Sequence, residues 1–213
     1  MITVIIPTLW KVDQLSTTLR DLAACKYVGE IILIDNTERT KKIELNKLNH
    51  ILEGKNTYVT AAWNKGAQSA QFDKLLILND DTWFDWDLMG EIEDNINESA
   101  GMIGISMNSY KIKETTNIKL EAIQKRPVGF ACAFFIHKNS WSPIPGKMKV
   151  FHNDDWLFEE CKKNGKQNYR LLNFKVAGRV SATLEKLGSK KYFRQILRDD
   201  RIAFQQLMKK EGK

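Results

Sequence analysis

The sequence predicts an α/β fold with a Rossmann-like, mostly parallel central sheet flanked by helices, on three observations. Along the first hundred residues, short apolar runs of strand length alternate with segments of helical periodicity. Two of those runs stop abruptly on polar residues: 31–34 on Asp35-Asn36, and 75–78 on Asn79-Asp80-Asp81. A parallel sheet delivers its ligands at the carboxyl ends of its strands, so both stops mark a candidate site. Finally, 213 residues with 43% hydrophobic content suffice for one large domain with a substantial core.

The elements follow in order. Residues 2–6 are an apolar strand; 12–24 carry Leu15, Leu19 and Leu22 at helical spacing; 31–34 are a second buried strand. Residues 56–59 read as another short strand, 64–71 as a helix and 75–78 as the strand bearing the carboxylates. Strands separated by helical segments imply parallel pairing with right-handed crossovers. Residues 1–100 thus form a nucleotide-binding half, although neither GxGxxG nor GxxxxGK[ST] occurs. Beyond residue 100 the order changes. Residues 102–107 and 130–136 read as strands, the polar stretch 108–125 as a loop near the site, and 156–163 and 189–210 as helices. No Ser- or Pro-rich linker and no repeat divides the halves, so 1–213 is expected to be a single domain.

Composition excludes several classes. No apolar run approaches the roughly 20 residues of a membrane span, and the N-terminus lacks a basic leader, so a soluble cytoplasmic protein without a transmembrane segment is expected. Cys25, Cys132 and Cys161 are scattered and form no CxxC, which leaves them as reduced packing residues. The net charge of +7 gathers in the last third, at Lys186, Lys190, Lys191, Arg194, Arg198, Arg201, Lys209 and Lys210. No zinc-finger spacing, RRM signature or basic stripe with interleaved aromatics accompanies it, so no nucleic acid is expected as partner. A basic C-terminal helix attracts an anionic acceptor, a diphosphate or a membrane surface, or is simply a solvated face.

The acidic stops carry the chemistry. Asp80 and Asp81, after four straight aliphatic residues, are suited to a hard divalent cation that grips a diphosphate, since oxygen ligands suit Mg2+ or Mn2+. The bland alternative is a turn started by Asn-Asp-Asp. The stretch Ala62-Trp63-Asn64-Lys65-Gly66 reads as a turn opening a helix whose free N–H groups hold phosphate.

Taken in order, Val4-Ile5-Ile6-Pro7, Ile34-Asp35-Asn36, Asn64-Lys65-Gly66, Leu78-Asn79-Asp80-Asp81-Thr82, Gly129-Phe130-Ala131-Cys132 and Asn153-Asp154-Asp155-Trp156-Leu157 resemble the nucleotide-sugar-dependent glycosyltransferases of GT-A fold. The resemblance covers most of the chain. It implies a metal-dependent transfer from a UDP-sugar donor to a glycan or glycoprotein acceptor, with residues 101–213 forming the acceptor half. By the same resemblance Asp35 reads the uracil edge, flanked by Pro7, Thr8, Leu9 and Asn36, while Asn64 and Lys65 lie beside the ribose or diphosphate. Asp81 matches the metal-ligating end of the DxD motif, for Mn2+ (or Mg2+), and Asn79 stands where its first aspartate would be. That amide adds no charge, so metal affinity leans on Asp80 as well.

The segment 151–158 resembles the family's acidic ED motif and puts Asp154 at the position of the catalytic base, with Asp155 as runner-up. Here the chain departs from the pattern, with Asn153 before the base and Trp156 after it; either aspartate is alternatively a helix N-cap. His152 belongs to an acceptor pocket, a metal shell or the surface. The family's late histidine ligand has no counterpart between residues 176 and 189, where Ser181 or Thr183 would have to replace it. Trp83, Trp86, Trp141 and Trp156 are expected to add aromatic surface near the site. The short length, the Pro7-Thr8-Leu9-Trp10-Lys11 start and the Asn79-Asp80-Asp81 core are similar to compact glycosyltransferase domains of chlorella-infecting viruses, which implies a capsid glycoprotein as acceptor. Competing classes are a sugar-phosphate nucleotidyltransferase, whose Gly-rich loop is absent, and a non-catalytic glycan-binding module, which leaves the acidic motifs without a task.

Overall fold

In the computed structural model, which describes residues 1–178 and 190–210, the first strand β1 (Ile2–Thr8) runs through the middle of an eight-stranded sheet. Side chains alternate across a strand, so Val4 and Ile6 enter one core layer and Ile5 the other. All three are fully buried. Each such side chain contributes roughly 1.5 to 3 kcal/mol of burial free energy. Helix α1 (Leu15–Ala24) buries the row Leu15, Leu19 and Leu22, at i, i+4 and i+7, in the first layer. Strand β2 (Val28–Asp35) pairs with β1 in parallel and β3 (Leu48–Leu52) with β2. Helix α2 (Tyr58–Ser69) returns the chain to the opposite side of β1, where β4 (Lys74–Leu78) also pairs in parallel. A Cβ at Gly66 would collide with Ile5, so this glycine lets α2 lie close on β1.

The second half completes the sheet, whose strands lie side by side in the order 48–52, 28–35, 2–8, 74–78, 133–137, 100–104, 167–172 and 119–123. Strand β5 (Thr82–Trp83), the short helix α3 (Met89–Ile92) and β6 (Ala100–Gly104) precede β7 (Lys119–Ile123) and β8 (Ala133–His137). Strand β8 runs antiparallel between β4 and β6. Helix α4 (Asn153–Lys163) leads to β9 (Gln167–Leu172), and β10 (Ala177–Gly178) pairs with β5 just beyond the two aspartates. Helix α5 (Lys190–Lys210) buries Ile196 and Ala203 and keeps Lys191, Arg194, Arg198 and Arg201 in water. Cys25, Cys132 and Cys161 are buried and free. No helix among the described residues is long and apolar enough to cross a membrane.

The α/β class and mostly parallel central sheet are as expected; several elements differ. The edge strand is 48–52, not 56–59. Asn56 instead caps the Tyr58 N–H and Thr57 donates to Asn36, a turn chemistry that starts α2 six residues before the expected helix. The stretch 62–66 therefore lies inside α2, where its N–H groups are consumed by the helix and hold no phosphate. Residues 108–125 are not all loop: β7 pairs antiparallel with β9 at the sheet edge, and its polar sequence is that of a strand with one side toward water. Residues 130–132 form a 3-10 turn after left-handed Gly129, so the strand starts at Ala133. Likewise Met107 opens a 3-10 turn, 107–111, rather than ending a strand.

Candidate active site

Strand β1 lies between β2 and β4, so the chain's direction of winding reverses there, which is the place where open α/β sheets hold ligands. A cleft of about 630 Å³ opens at this point. Its walls include Pro7, Thr8 and Leu9 from β1, Asn36 after β2, and Asn79, Asp80 and Asp81 after β4. The Thr8 hydroxyl donates to Asp80 Oδ2 at 2.7 Å and ties two strand ends together. Asn36 Oδ1 accepts from both the N–H and the hydroxyl of Thr57, which fixes the entrance to α2.

Asp80 and Asp81 are both buried to within a few per cent and face the cleft. Burial pushes the Asp80 carboxyl up to about 6, with the charge of Asp81 adding and the Thr8 hydroxyl opposing. A cation would relieve that cost. Mg2+ is commonly held by one or two carboxylates plus phosphate oxygens, so this donor set fits a metal that arrives with a diphosphate. Among the described residues no group of three His, Cys, Asp or Glu side chains comes together, and Ser181 and Thr183 lie outside them. Gly178 presses on the Asp81 carbonyl at a φ of 147°, close enough that a Cβ would collide with it.

Asp35 stands beside Thr8 in the β1–β2 register, but its carboxylate is fully engaged and does not line the cleft. Oδ1 accepts from the Thr37 N–H and hydroxyl; Oδ2 accepts from Trp10 Nε1 at 2.6 Å, with Arg39 Nε 3.6 Å away. His50 Nδ1 accepts the Ile43 N–H, which puts the ring proton on Nε2, 3.2 Å from Asp35 Oδ2. Burial holds the His50 pKa below its usual value, against the raising effect of Asp35. Trp10 has a left-handed φ of 53° and carries the Arg39 guanidinium 4.5 Å above its ring.

Helix α4 presents a second acidic pair to the same cleft. His152, at a φ of 64°, is the N-cap residue, so neither aspartate caps the helix; both occupy its first turn. There the helix N-terminus favours negative charge. Asp155 is held by His152 Nδ1 at 2.8 Å and by Arg126. Burial alone would raise its pKa, but those two hydrogen bonds and the Arg126 charge hold it below the usual carboxylate range. Asp154 differs. Burial drives it up to about 6, with Arg126 opposing and Asp155 adding, and its Oδ2, 3.0 Å from Arg126 Nη1, takes no well-aligned hydrogen bond.

The structure thus gathers Pro7, Thr8, Leu9, Asn36, Asn79, Asp80, Asp81, Asp154 and Asp155 around one cleft. It does not bring Asn64 and Lys65 there. Asn64 ties the backbone N–H and carbonyl of Ile144, and Lys65 pairs with Glu53. Nor do Trp83, Trp86, Trp141 and Trp156 line it: Trp156 is buried in the core, and Trp86 and Trp141 pack against it. The cleft aromatics are instead Tyr58, Trp63, Phe151, Tyr192 and Phe193. Arg126 escaped the sequence reading because a single arginine in a polar stretch has no local signal. His50, a polar residue on a short edge strand, escaped it for the same reason.

Comparison with known proteins agrees with this geometry. The crystal structure of S. aureus TarS 1-349 superposes with a TM-score of 0.63 at 14% identity, over 93% of this chain and 70% of that one. Its complex with UDP gives the same values, and its complex with UDP-GlcNAc a TM-score of 0.60 at 14% identity over 82% and 57%. These likenesses establish the fold, which is that of a GT-A enzyme. None of the curated proteins matches the sequence. The family model of glycosyl transferase family 2 matches residues 3–175, four fifths of the chain, and the protein therefore belongs to that family and is a glycosyltransferase.

Proposed function

We propose that the enzyme transfers a sugar from a UDP-sugar to a hydroxyl of a glycan or glycoprotein acceptor, with a divalent cation, Mn2+ or Mg2+, bound through Asp81 and Asp80. The observation that carries this reading is that two acidic pairs with opposite demands line one cleft. Asp80 and Asp81 are two carboxylates crowded at a strand end, which suits a cation. When bound there, the metal neutralises charge that develops on the departing nucleoside diphosphate. Asp154 has the other task. A cleft carboxylate that burial lifts to about 6 against the pull of Arg126 suits the task of taking the acceptor proton, while Asp155 is locked as a low-pKa anion that holds Arg126 and His152. Asp154 is accordingly the base and the reaction inverting.

The uracil reading rests on Asp35. The N3–H of uracil is a donor like the Trp10 indole N–H, so the base enters by displacing Trp10 from Asp35 Oδ2. His50 and Thr37 keep the carboxylate in place meanwhile. Residues 1–100 hold the donor and 101–213 the acceptor, and the resemblance of the sequence motifs to viral glycosyltransferases is what favours a capsid glycoprotein as the acceptor. Incubation with a panel of nucleotide sugars, with and without Mn2+, tests the reading. Metal-dependent release of UDP and transfer to glycan is expected; pyrophosphate exchange, or turnover of ADP-sugars equal to that of UDP-sugars, would overturn it.

A further inference from the structure

Helix α5 lies beyond residue 175, where the family match ends, yet it is bolted to the acidic wall of the cleft. The Asp200 side chain is 1% exposed. Its Oδ1 accepts the Lys149 N–H at 2.9 Å, and its Oδ2 accepts the N–H groups of Val150 and Phe151, both at 2.8 Å. Three successive backbone amides thus converge on one buried carboxylate, a charge-assisted arrangement stronger than three neutral contacts. The clamped segment runs directly into left-handed His152 and the Asp154-Asp155 turn of α4. One turn along α5, Phe204 stacks flat on the His152 ring, 5.3 Å between centroids and 9° between planes. That ring is the one that holds Asp155. From the other side, Thr60 of α2 bonds the Lys149 carbonyl and the Asn153 side chain.

We propose that Asp200 is a positioning residue for glycosyl transfer: its three-amide clamp, with Phe204 behind His152, fixes segment 149–152 and with it the place of Asp154 in the cleft. Asp200 does not touch the cleft itself, so it acts through the loop. The inference rests on the glycosyl-transfer reading given above. A single hydrogen bond would not require an aspartate here, whereas three N–H donors on two oxygens leave no place for the amide group of asparagine. Catalytic groups displaced by about an ångström lose on the order of a hundredfold in rate, so a loosened clamp is expected to be read in kcat.

The test compares native enzyme with Asp200→Asn and with Phe204→Leu, the second a milder break of the same support. Three readouts are taken: amide exchange at 149–151, UDP affinity with Mn2+, and turnover of UDP-glucose, UDP-galactose and UDP-N-acetylglucosamine. In Asp200→Asn the three amides should exchange at least tenfold faster, UDP affinity and donor KM should stay within twofold, and kcat should fall tenfold or more. Phe204→Leu should lower kcat severalfold, again at constant donor KM. Faster exchange with native kcat in both variants overturns the positioning role alone, as does a parallel loss of UDP affinity, which marks a general structural effect. A native enzyme that turns over none of the three donors overturns the transfer reading and the role with it.

Discussion

Asp154 and Asp155 are adjacent in sequence, share Arg126, and have opposite electrostatics because burial prevails at Asp154, whereas the hydrogen bonds of His152 and Arg126 outweigh it at Asp155. Protonation silences a base, so transfer should lose half its rate as pH falls through about 6, the value to which burial lifts Asp154. Asp154→Asn should remove that acid limb, lower kcat by on the order of a hundredfold or more and leave UDP-sugar affinity unchanged. If this variant transfers at native rate while Asp155→Asn is dead, the assignment of the base moves by one residue. The same burial has a thermodynamic sign. A carboxyl whose folded pKa is raised from 3.8 to about 6 costs nothing well below pH 4, costs progressively more stability as pH rises from about 4 to about 6, and from there on costs a constant amount on the order of 3 kcal/mol. Since Asp155 still holds Arg126, Asp154→Asn should also melt several degrees higher, and a lower melting temperature would contradict the cost assigned to this burial. Trp10 gives a second residue-scale expectation. Trp10→Phe removes the indole N–H that occupies Asp35 Oδ2 and should tighten UDP binding, whereas Asp35→Ala should weaken it. Calorimetry that finds both variants weaker would deny that indole and uracil compete.

At the scale of elements, the strands of the parallel half were legible because their apolar runs are continuous and end on polar residues: 2–6, 31–34 and 75–78 all lie inside β1, β2 and β4. What sequence did not reveal is what depends on partners. Strand β3 alternates weakly and has one neighbour, and β7 is polar because one side meets water. Asn64-Lys65-Gly66 shows how a motif misleads when its reason is packing: the glycine seats α2 on Ile5 and the asparagine pins Ile144. Similarly, the acidic pair at 80–81 was visible, but its support by the two-residue strand β10 was not, because pairing between 82–83 and 177–178 joins segments nearly a hundred residues apart. That support is testable. Gly178→Ala places a Cβ against the Asp81 carbonyl at a φ that other residues rarely adopt. It should weaken Mn2+-dependent UDP binding severalfold while metal-free UDP binding persists. Equal losses with and without Mn2+ would mean that β10 supports the fold rather than the metal site.

At the scale of the whole molecule, the fold brings the Asp80-Asp81 and Asp154-Asp155 carboxylates to one cleft from segments more than seventy residues apart. Helix α5 holds seven lysines and arginines against two aspartates, so a tenth of the chain carries most of its net charge of +7, yet its buried side is what steadies the acidic wall. The charge was legible in sequence; the buried Asp200 was not, since an aspartate on a basic helix reads as surface. A ligand that engages both Asp35 and the Asp80-Asp81 pair should therefore stabilise the molecule as a unit. Binding to the native state alone adds about 2.7 kcal/mol at a hundred times Kd. For a chain of this size that corresponds to roughly 5 to 10 °C in melting temperature. UDP with Mn2+ should produce such a shift, ADP with Mn2+ should produce a far smaller one, and in Asp81→Asn the increment due to Mn2+ should vanish while that of UDP alone remains. An equal shift from ADP would remove Asp35 as the reader of the base, and an undiminished Mn2+ increment in Asp81→Asn would place the cation elsewhere in the cleft.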